Sequence, residues 1–287
     1  FKQKTAYEIG VRLVGSEMCI RDRVNIAEKA VLGHRDNSQG TATVTGANST
    51  WDVGDYLSVG DNSYGGSAKG WLTIANGGQV NSNSGYVGRY GTAKGTATVT
   101  GTNSIWDNDG PLYVGEAGTG TLTIEDGGRV ENTSSYTAYK AGSDGTVTVT
   151  GTNSIWDNSG SLYVGRYGTG TLTIANGARV ENTAGYIGIY SGASGTVEVN
   201  GTGSTWKNDG DLYIGGWSTH RGSADVLIRD GGTLSVTGDT NIYSGSTLTI
   251  NSGGRMENTT GSLYVGRYGT SMLTIEDGGR VENTKGY

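Results

Sequence analysis

The sequence predicts an all-β chain: a parallel β-helix (β-solenoid) of about ten coils. Three observations carry that prediction. A GTxTV/I motif recurs along the chain, with its first inward-reading residue at Ala42, Leu72, Ala97, Leu122, Val147, Leu172, Val197, Val226, Leu248 and Leu273. The steps between these positions are 30, five of 25, then 29, 22 and 25, a fixed period of the kind that marks repeat architectures. Within each repeat, apolar residues alternate with polar ones at a period of two, the pattern of half-buried strands. The composition, with 53 Gly, one Pro and abundant Thr, Ser and Asn, is that of a turn-rich β protein.

Each element of the repeat follows from these patterns. In the run Gly120 to Ile124, Leu122 and Ile124 read to one side and Thr121 and Thr123 to the other. Val130 reads inward between Arg129 and Glu131, and Leu112 and Val114 read inward around Tyr113. Three short strands joined by Gly, Asn and Asp turns describe one rung. No amphipathic helical periodicity accompanies them. Two rung types alternate, one reading GTLTIxxGGRVENTxxY and the other GTVTVTGTNSIWDNxGxLYVG. The two types trade length between corners while the period is preserved, which is expected of coils stacked in register.

Several recurring side chains have both a structural and a functional reading. Trp51, Trp106, Trp156 and Trp206 recur every second coil. Aligning the residue before each with Val130 and Val180 directs the rings outward, whereas a bulge near the neighbouring Ser turns them into the core; packing is the expected role, and the orientation stays open. Tyr86, Tyr113, Tyr136, Tyr163, Tyr186, Tyr213 and Tyr264 occupy the outward slot of the third strand. At a rung spacing of about 4.8 Å these rings form a column, either a self-satisfying ladder of cross-strand pairs or a platform on which sugars stack; the ladder is the expectation. Outward pairs such as Thr96/Thr98, Thr121/Thr123, Thr146/Thr148 and Thr171/Thr173 resemble the TxT arrays of ice-binding solenoids. Trp71, Glu198, Asp225, Leu227 and Met272 interrupt the array, so Thr is read as a filler of high β-propensity. The pairs Arg129/Glu131, Arg179/Glu181, Arg255/Glu257 and Arg280/Glu282 read as a solubilising charge network. Asn132, Asn182, Asn258 and Asn283 read as corner residues that satisfy turn backbone.

Function is less legible. With 21 basic and 27 acidic residues, net −6, the chain offers no basic surplus for nucleic acid. No stretch approaches the roughly 18 apolar residues of a membrane span. Cys19 is the single cysteine and the two histidines are His34 and His220; no zinc spacing or calcium nonapeptide appears. Carboxylates recur at equivalent positions, so no acid/base pair stands out, and neither a catalytic residue, a metal nor a cofactor is expected. Two corner insertions break the repetition: Gly60 to Trp71, which holds Tyr64, and Gly215 to Asp225, which holds Trp217, His220 and Arg221. Insertions on one corner are where repeat proteins place binding loops. The candidate binding surface is therefore Tyr86, Tyr113, Tyr163, Tyr186, Tyr213 and Tyr264 with Tyr64, Trp71, Trp217, His220 and Arg221.

Residues 1–23 stand apart. They hold the only Phe and Cys and no trace of the repeat, and Thr5 to Arg23 (TAYEIGVRLVGSEMCIRDR) resembles translated sequencing-adapter read-through. They are read as a non-native leader. Residues 24–287 are read as a single β-helix cut at both ends, its last residue, Tyr287, in phase with Tyr186.

From about Leu32 onward the chain is similar to the type V secretion/PEP-CTERM-associated repeat family. The residues that carry this are Gly145 to Gly151 (GTVTVTG), Asn153 to Trp156 (NSIW), Leu162 to Gly165 (LYVG) and Gly170 to Ile174 (GTLTI). The resemblance implies a right-handed parallel β-helix, and an exported bacterial passenger at the cell surface or outside the cell. It also implies an outer-membrane translocator elsewhere in the full-length protein, and adhesion to a host-cell or matrix receptor or a glycan. A polysaccharide-active β-helix enzyme and a purely structural spacer are the alternative readings.

Overall fold

The computed structural model describes residues 23–63, 65–216 and 220–286. The leader, Arg23 excepted, lies outside the described residues, as do Tyr64, Trp217 and Tyr287. Every element among the described residues is a strand or a turn. The fold is a parallel β-helix.

Each coil contributes a long lead strand, a short second strand and a short third strand. One coil consists of Thr119–Glu125, Arg129–Asn132 and Ser135–Thr137; the next, of Asp144–Thr150, Ile155–Asn158 and Leu162–Val164. The ten lead strands, from Gln39–Thr45 to Met272–Ile275, form one parallel sheet, and the second and third strands form another. All ten motif positions from Ala42 to Leu273 stand in a single column, each paired with its equivalent one coil away. Between the end members Ala42 and Leu273, every side chain of that column is buried. The core is thus a stack of aliphatic layers, each layer closed by the coils on either side. A coil alone leaves its apolar face and its ladder hydrogen bonds unmet.

The tryptophans face inward. Trp106, Trp156 and Trp206 are fully buried, and Trp51 is partly so. Their register partners are the inward Val80, Val130 and Val180 themselves. The outward alternative fails because the run from Val149 to Trp156 is one residue longer than the run from Ile124 to Val130. That extra corner residue reverses the parity of the strand that follows. Gly151 takes the left-handed conformation in this longer corner at φ 88. The Ser154 hydroxyl accepts from the Gly127 amide of the coil below at 3.0 Å.

Each buried indole meets a designed acceptor one coil down. Trp156 Nε1 donates to Asn132 Oδ1 at 3.0 Å, Trp206 Nε1 to Asn182 Oδ1 at 2.8 Å, and Trp106 Nε1 to Ser82 Oγ at 3.3 Å. Asn132 and Asn182 are therefore more than corner residues: they are buried and also donate to Asn158 and Asn208 of the coil above. Asn158 passes the chain on to the Glu181 carbonyl at 3.0 Å. Asn258 does serve its turn, donating to the Ser262 carbonyl at 3.1 Å. Beneath Trp51 the position equivalent to Asn132 is taken by Ile26, which has no side-chain acceptor, and the Trp51 Nε1 has no hydrogen-bond partner.

The outward faces divide by chemistry. Threonines line the lead-strand sheet in register, with Trp71, Glu198, Asp225, Leu227 and Met272 interrupting the columns. Second strands carry the expected charge network, which also links coils: Arg129 reaches Asp157 at 3.0 Å and Arg255 reaches Glu282 at 2.6 Å. The corner between the third strand and the next lead strand, the third corner, carries the aromatic residues.

Candidate binding surface at the third corner

Six of the outward tyrosines form an unbroken stack. Tyr86, Tyr113, Tyr136, Tyr163, Tyr186 and Tyr213 follow one another at centroid distances of 5.0, 4.9, 4.9, 4.7 and 5.0 Å, with interplanar angles of 14° or less. The rung spacing of a parallel sheet dictates that distance, so the ladder is a direct product of register. Tyr264 shares the register column, but Asn241 stands between it and Tyr213, and its ring faces Arg267 at 4.6 Å. Within the stack each ring face covers the next, leaving edges and hydroxyls toward solvent. The column is a structural ladder; its ring faces are not free to receive a sugar.

Burial shifts the phenols accordingly. It pushes Tyr113 up to about 12, with Tyr86 and Tyr136 adding to the effect. Tyr86, Tyr163 and Tyr186 are also raised by burial. Tyr213 is raised first by burial and then by its hydrogen bond to Asp211, 3.0 Å from the hydroxyl.

Beside this ladder, at the third corner itself, runs a second column. Each backbone amide donates to the coil below, placing His34, Asp61, Arg89, Glu116, Tyr139 and Arg166 in succession. Its first half is charge-neutralised. Asp61, almost fully buried, lies 3.6 Å from His34 and 3.5 Å from Arg89; Arg89 lies 3.5 Å from Glu116, which Lys140 approaches at 2.9 Å. Arg89 also covers the rings of Tyr56 and Tyr86 at 4.2 and 4.1 Å.

The second half differs in kind. The Arg166 guanidinium sits over Tyr139 at 4.5 Å, Tyr167 at 5.3 Å, Tyr136 at 5.4 Å, Tyr190 at 5.6 Å and Tyr163 at 5.7 Å. No carboxylate among the described residues pairs with it. Burial opposes the charge, but hydrogen bonding to Tyr139 and Tyr190 outweighs it and holds the guanidinium above the usual arginine value. Tyr167 stacks on Tyr190 at 4.2 Å, and Tyr190 meets the edge of His220 at 5.5 Å. Tyr167 is 38% exposed; His220 and Arg221 are exposed as well.

The structure thus brings His220 into an aromatic cluster, with the exposed Arg221 next to it in the chain. Of the cluster's other members, Arg166 and Tyr167 carried a readable signal, since Gly-Arg-Tyr recurs after the third strand at Gly88, Gly165 and Gly266; Tyr139 and Tyr190 stand outside that motif. Trp71 does not join it, standing instead on the lead-strand face between Thr41 and Thr96. Tyr64 and Trp217 lie outside the described residues. A cleft of about 360 Å³ near the N-terminal coils is lined by Asn25, Asp52, Asn81 and Asp109. Its Asp52 is engaged by Arg23 at 3.0 Å and Asn81 at 2.6 Å. Among the described residues no three His, Cys, Asp or Glu side chains converge as a metal site.

No protein-family model and no curated protein matches the chain. Among solved structures it is similar to a TibC-catalysed, hyper-glycosylated fragment of TibA, at 18% identity and a TM-score of 0.32, with 93% of this chain and 100% of that one covered.

Proposed function

We propose that the chain is part of a bacterial surface-exposed or secreted passenger of autotransporter type, in which a rigid β-helical rod carries a lateral binding face. The observation that supports this most is the segregation of side chains around the coil. The lead-strand face holds Thr and the second-strand face holds internally paired ions, while the third corner concentrates tyrosines around an arginine without an acidic partner. Exposed aromatic and arginine side chains are the groups that dominate recognition surfaces. Ten coils at about 4.8 Å make a rod on the order of 50 Å long, which supplies reach. In this reading the partner is a host-cell or matrix receptor, or a glycan, and the chain performs no catalysis.

Binding of the purified chain to cells and to a glycan array, beside a polysaccharide depolymerisation assay, tests the proposal. Saturable cell or glycan binding without cleavage supports it. Cleavage that one carboxylate substitution abolishes overturns it in favour of an enzyme. A second reading, a pure spacer, is favoured by the Tyr86–Tyr213 stack, whose ring faces are spent on each other. It prevails if no binding is found and removing coils alters only reach.

A further inference from the structure

We infer that the third-corner cluster of Tyr139, Arg166, Tyr167, Tyr190 and His220 is a subsite for an anionic saccharide. The inference rests on the passenger reading and names the ligand chemistry of its binding face.

Charge bookkeeping along the corner selects this half. Arg89 and Lys140 already have Asp61 and Glu116 within ion-pair distance, so an incoming anion there competes with resident carboxylates. Arg166 has aromatic partners instead, with no carboxylate among the described residues at ion-pair distance; its Nε, like that of Arg89, is buried with no hydrogen-bond acceptor. A guanidinium ringed by tyrosines keeps its charge and its planar donor fork while shedding water, the condition under which pairing with a carboxylate or sulfate is strongest. The chain is acidic overall, net −6, so an arginine that meets tyrosines and no carboxylate among the described residues is a local exception to the general charge.

The rings supply the second half of the recognition. Tyr167 and Tyr190 lie parallel, and the exposed Tyr167 stands at the solvent edge of the pair. A sugar presents an apolar C–H face together with polar edges, so one aromatic flank beside a cation matches a sugar that carries an acidic group. A simple inorganic anion gains nothing from the rings, and a neutral sugar accepts at most ordinary hydrogen bonds from Arg166, without the charge-assisted pairing. The cluster draws Tyr139, Arg166, Tyr190 and His220 from successive coils spaced at about 4.8 Å, close to the length of one hexose, which favours an oligomer laid along the rod axis over a monosaccharide.

Calorimetry on the whole chain with three hexasaccharides tests the inference: oligogalacturonate, a heparin hexasaccharide and maltohexaose. Either or both acidic oligomers are expected to bind, and maltohexaose to bind roughly tenfold more weakly or not at all; the two acidic arms distinguish carboxylate from sulfate as the anion. Arg166→Gln is expected to weaken binding roughly tenfold, Arg166→Lys less, and Arg89→Gln less than about twofold, because Arg89 is already neutralised. Tyr167→Ala, at an exposed ring whose loss leaves the core intact, is expected to weaken binding about threefold or more with an unchanged melting temperature. Raising salt from about 0.01 M to 0.15 M is expected to weaken binding further. Equal binding of maltohexaose, or acidic binding indifferent to both Arg166→Gln and Tyr167→Ala, overturns the inference. If the chain binds cells but none of the acidic oligomers, the subsite falls and the passenger reading stands; if it binds nothing, both fall.

Discussion

Trp156 shows how much a single position contributes. Its indole fills the core between Val130 and Val180 and donates to Asn132. Trp156→Ala is expected to cost about 3–5 kcal/mol of unfolding free energy through lost burial and the cavity left behind. Trp156→Phe keeps most of the volume but leaves the buried Asn132 oxygen without its indole donor, at a cost of about 1–3 kcal/mol. Urea denaturation of both variants separates packing from hydrogen bonding, and a Phe variant as stable as the parent removes Asn132 from the account. Ala138 offers the opposite case. It takes the corner slot filled by Gly115 and Gly165 in the flanking coils, and it adopts the left-handed conformation at φ 57. A non-glycine residue there is strained by about 1–2 kcal/mol, only partly offset by the greater unfolded-state freedom of glycine. Ala138→Gly is therefore expected to raise stability by up to about 1 kcal/mol. A drop in melting temperature would show that the Ala138 methyl packs more favourably than its backbone is strained.

At the scale of elements, the tyrosine ladder makes stability sensitive to alkali. The folded-state phenols of Tyr86, Tyr113, Tyr163, Tyr186 and Tyr213 are raised above the value of about 10 that they hold when unfolded. Groups raised in this way contribute stability that is fully present below about pH 10 and is lost as pH climbs through the folded values, about 12 for Tyr113. Phenolate absorbance is expected to appear late and together with loss of the β circular-dichroism signal. Complete ionisation by about pH 11 with the fold intact would contradict the burial of the column. The ladder was legible in the sequence because a period-two strand and a fixed coil length put every Tyr in the same slot. The orientation of the tryptophans was not legible. One added corner residue, between Val149 and Trp156, reverses which side chains face inward, and only the backbone path shows where that residue is absorbed.

The whole molecule is a two-coil repeat as much as a one-coil repeat. Down the inner column the side chains alternate as Val80, Trp106, Val130, Trp156, Val180 and Trp206, so each large ring lies between smaller neighbours. Excising residues 119–143, one coil, joins equivalent backbone positions but sets Trp106 directly against Trp156. Excising residues 119–168, two coils, sets Trp106 against Val180 and restores the alternation. The shorter deletion is therefore expected to be the more damaging, with the overpacked layer costing about 1–3 kcal/mol. Thermal melts of the two proteins check this, and a one-coil deletion at least as stable as the two-coil deletion would mean the layers are independent of ring size.

The sequence by itself determined the coil length, the ten stacked turns, the inward aliphatic column and the outward tyrosine ladder. All of these are consequences of periodicity, and periodicity is a one-dimensional property. It also marked Gly215 to Asp225 as a break at the third corner. What tertiary structure decided was which non-equivalent residues meet there: His220 against Tyr190, Tyr190 against Tyr167, and Arg166 among tyrosines from several coils. Those contacts form between residues a coil or more apart in the chain and depend on how each corner bends. Their chemistry emerges only when the coils are laid on one another.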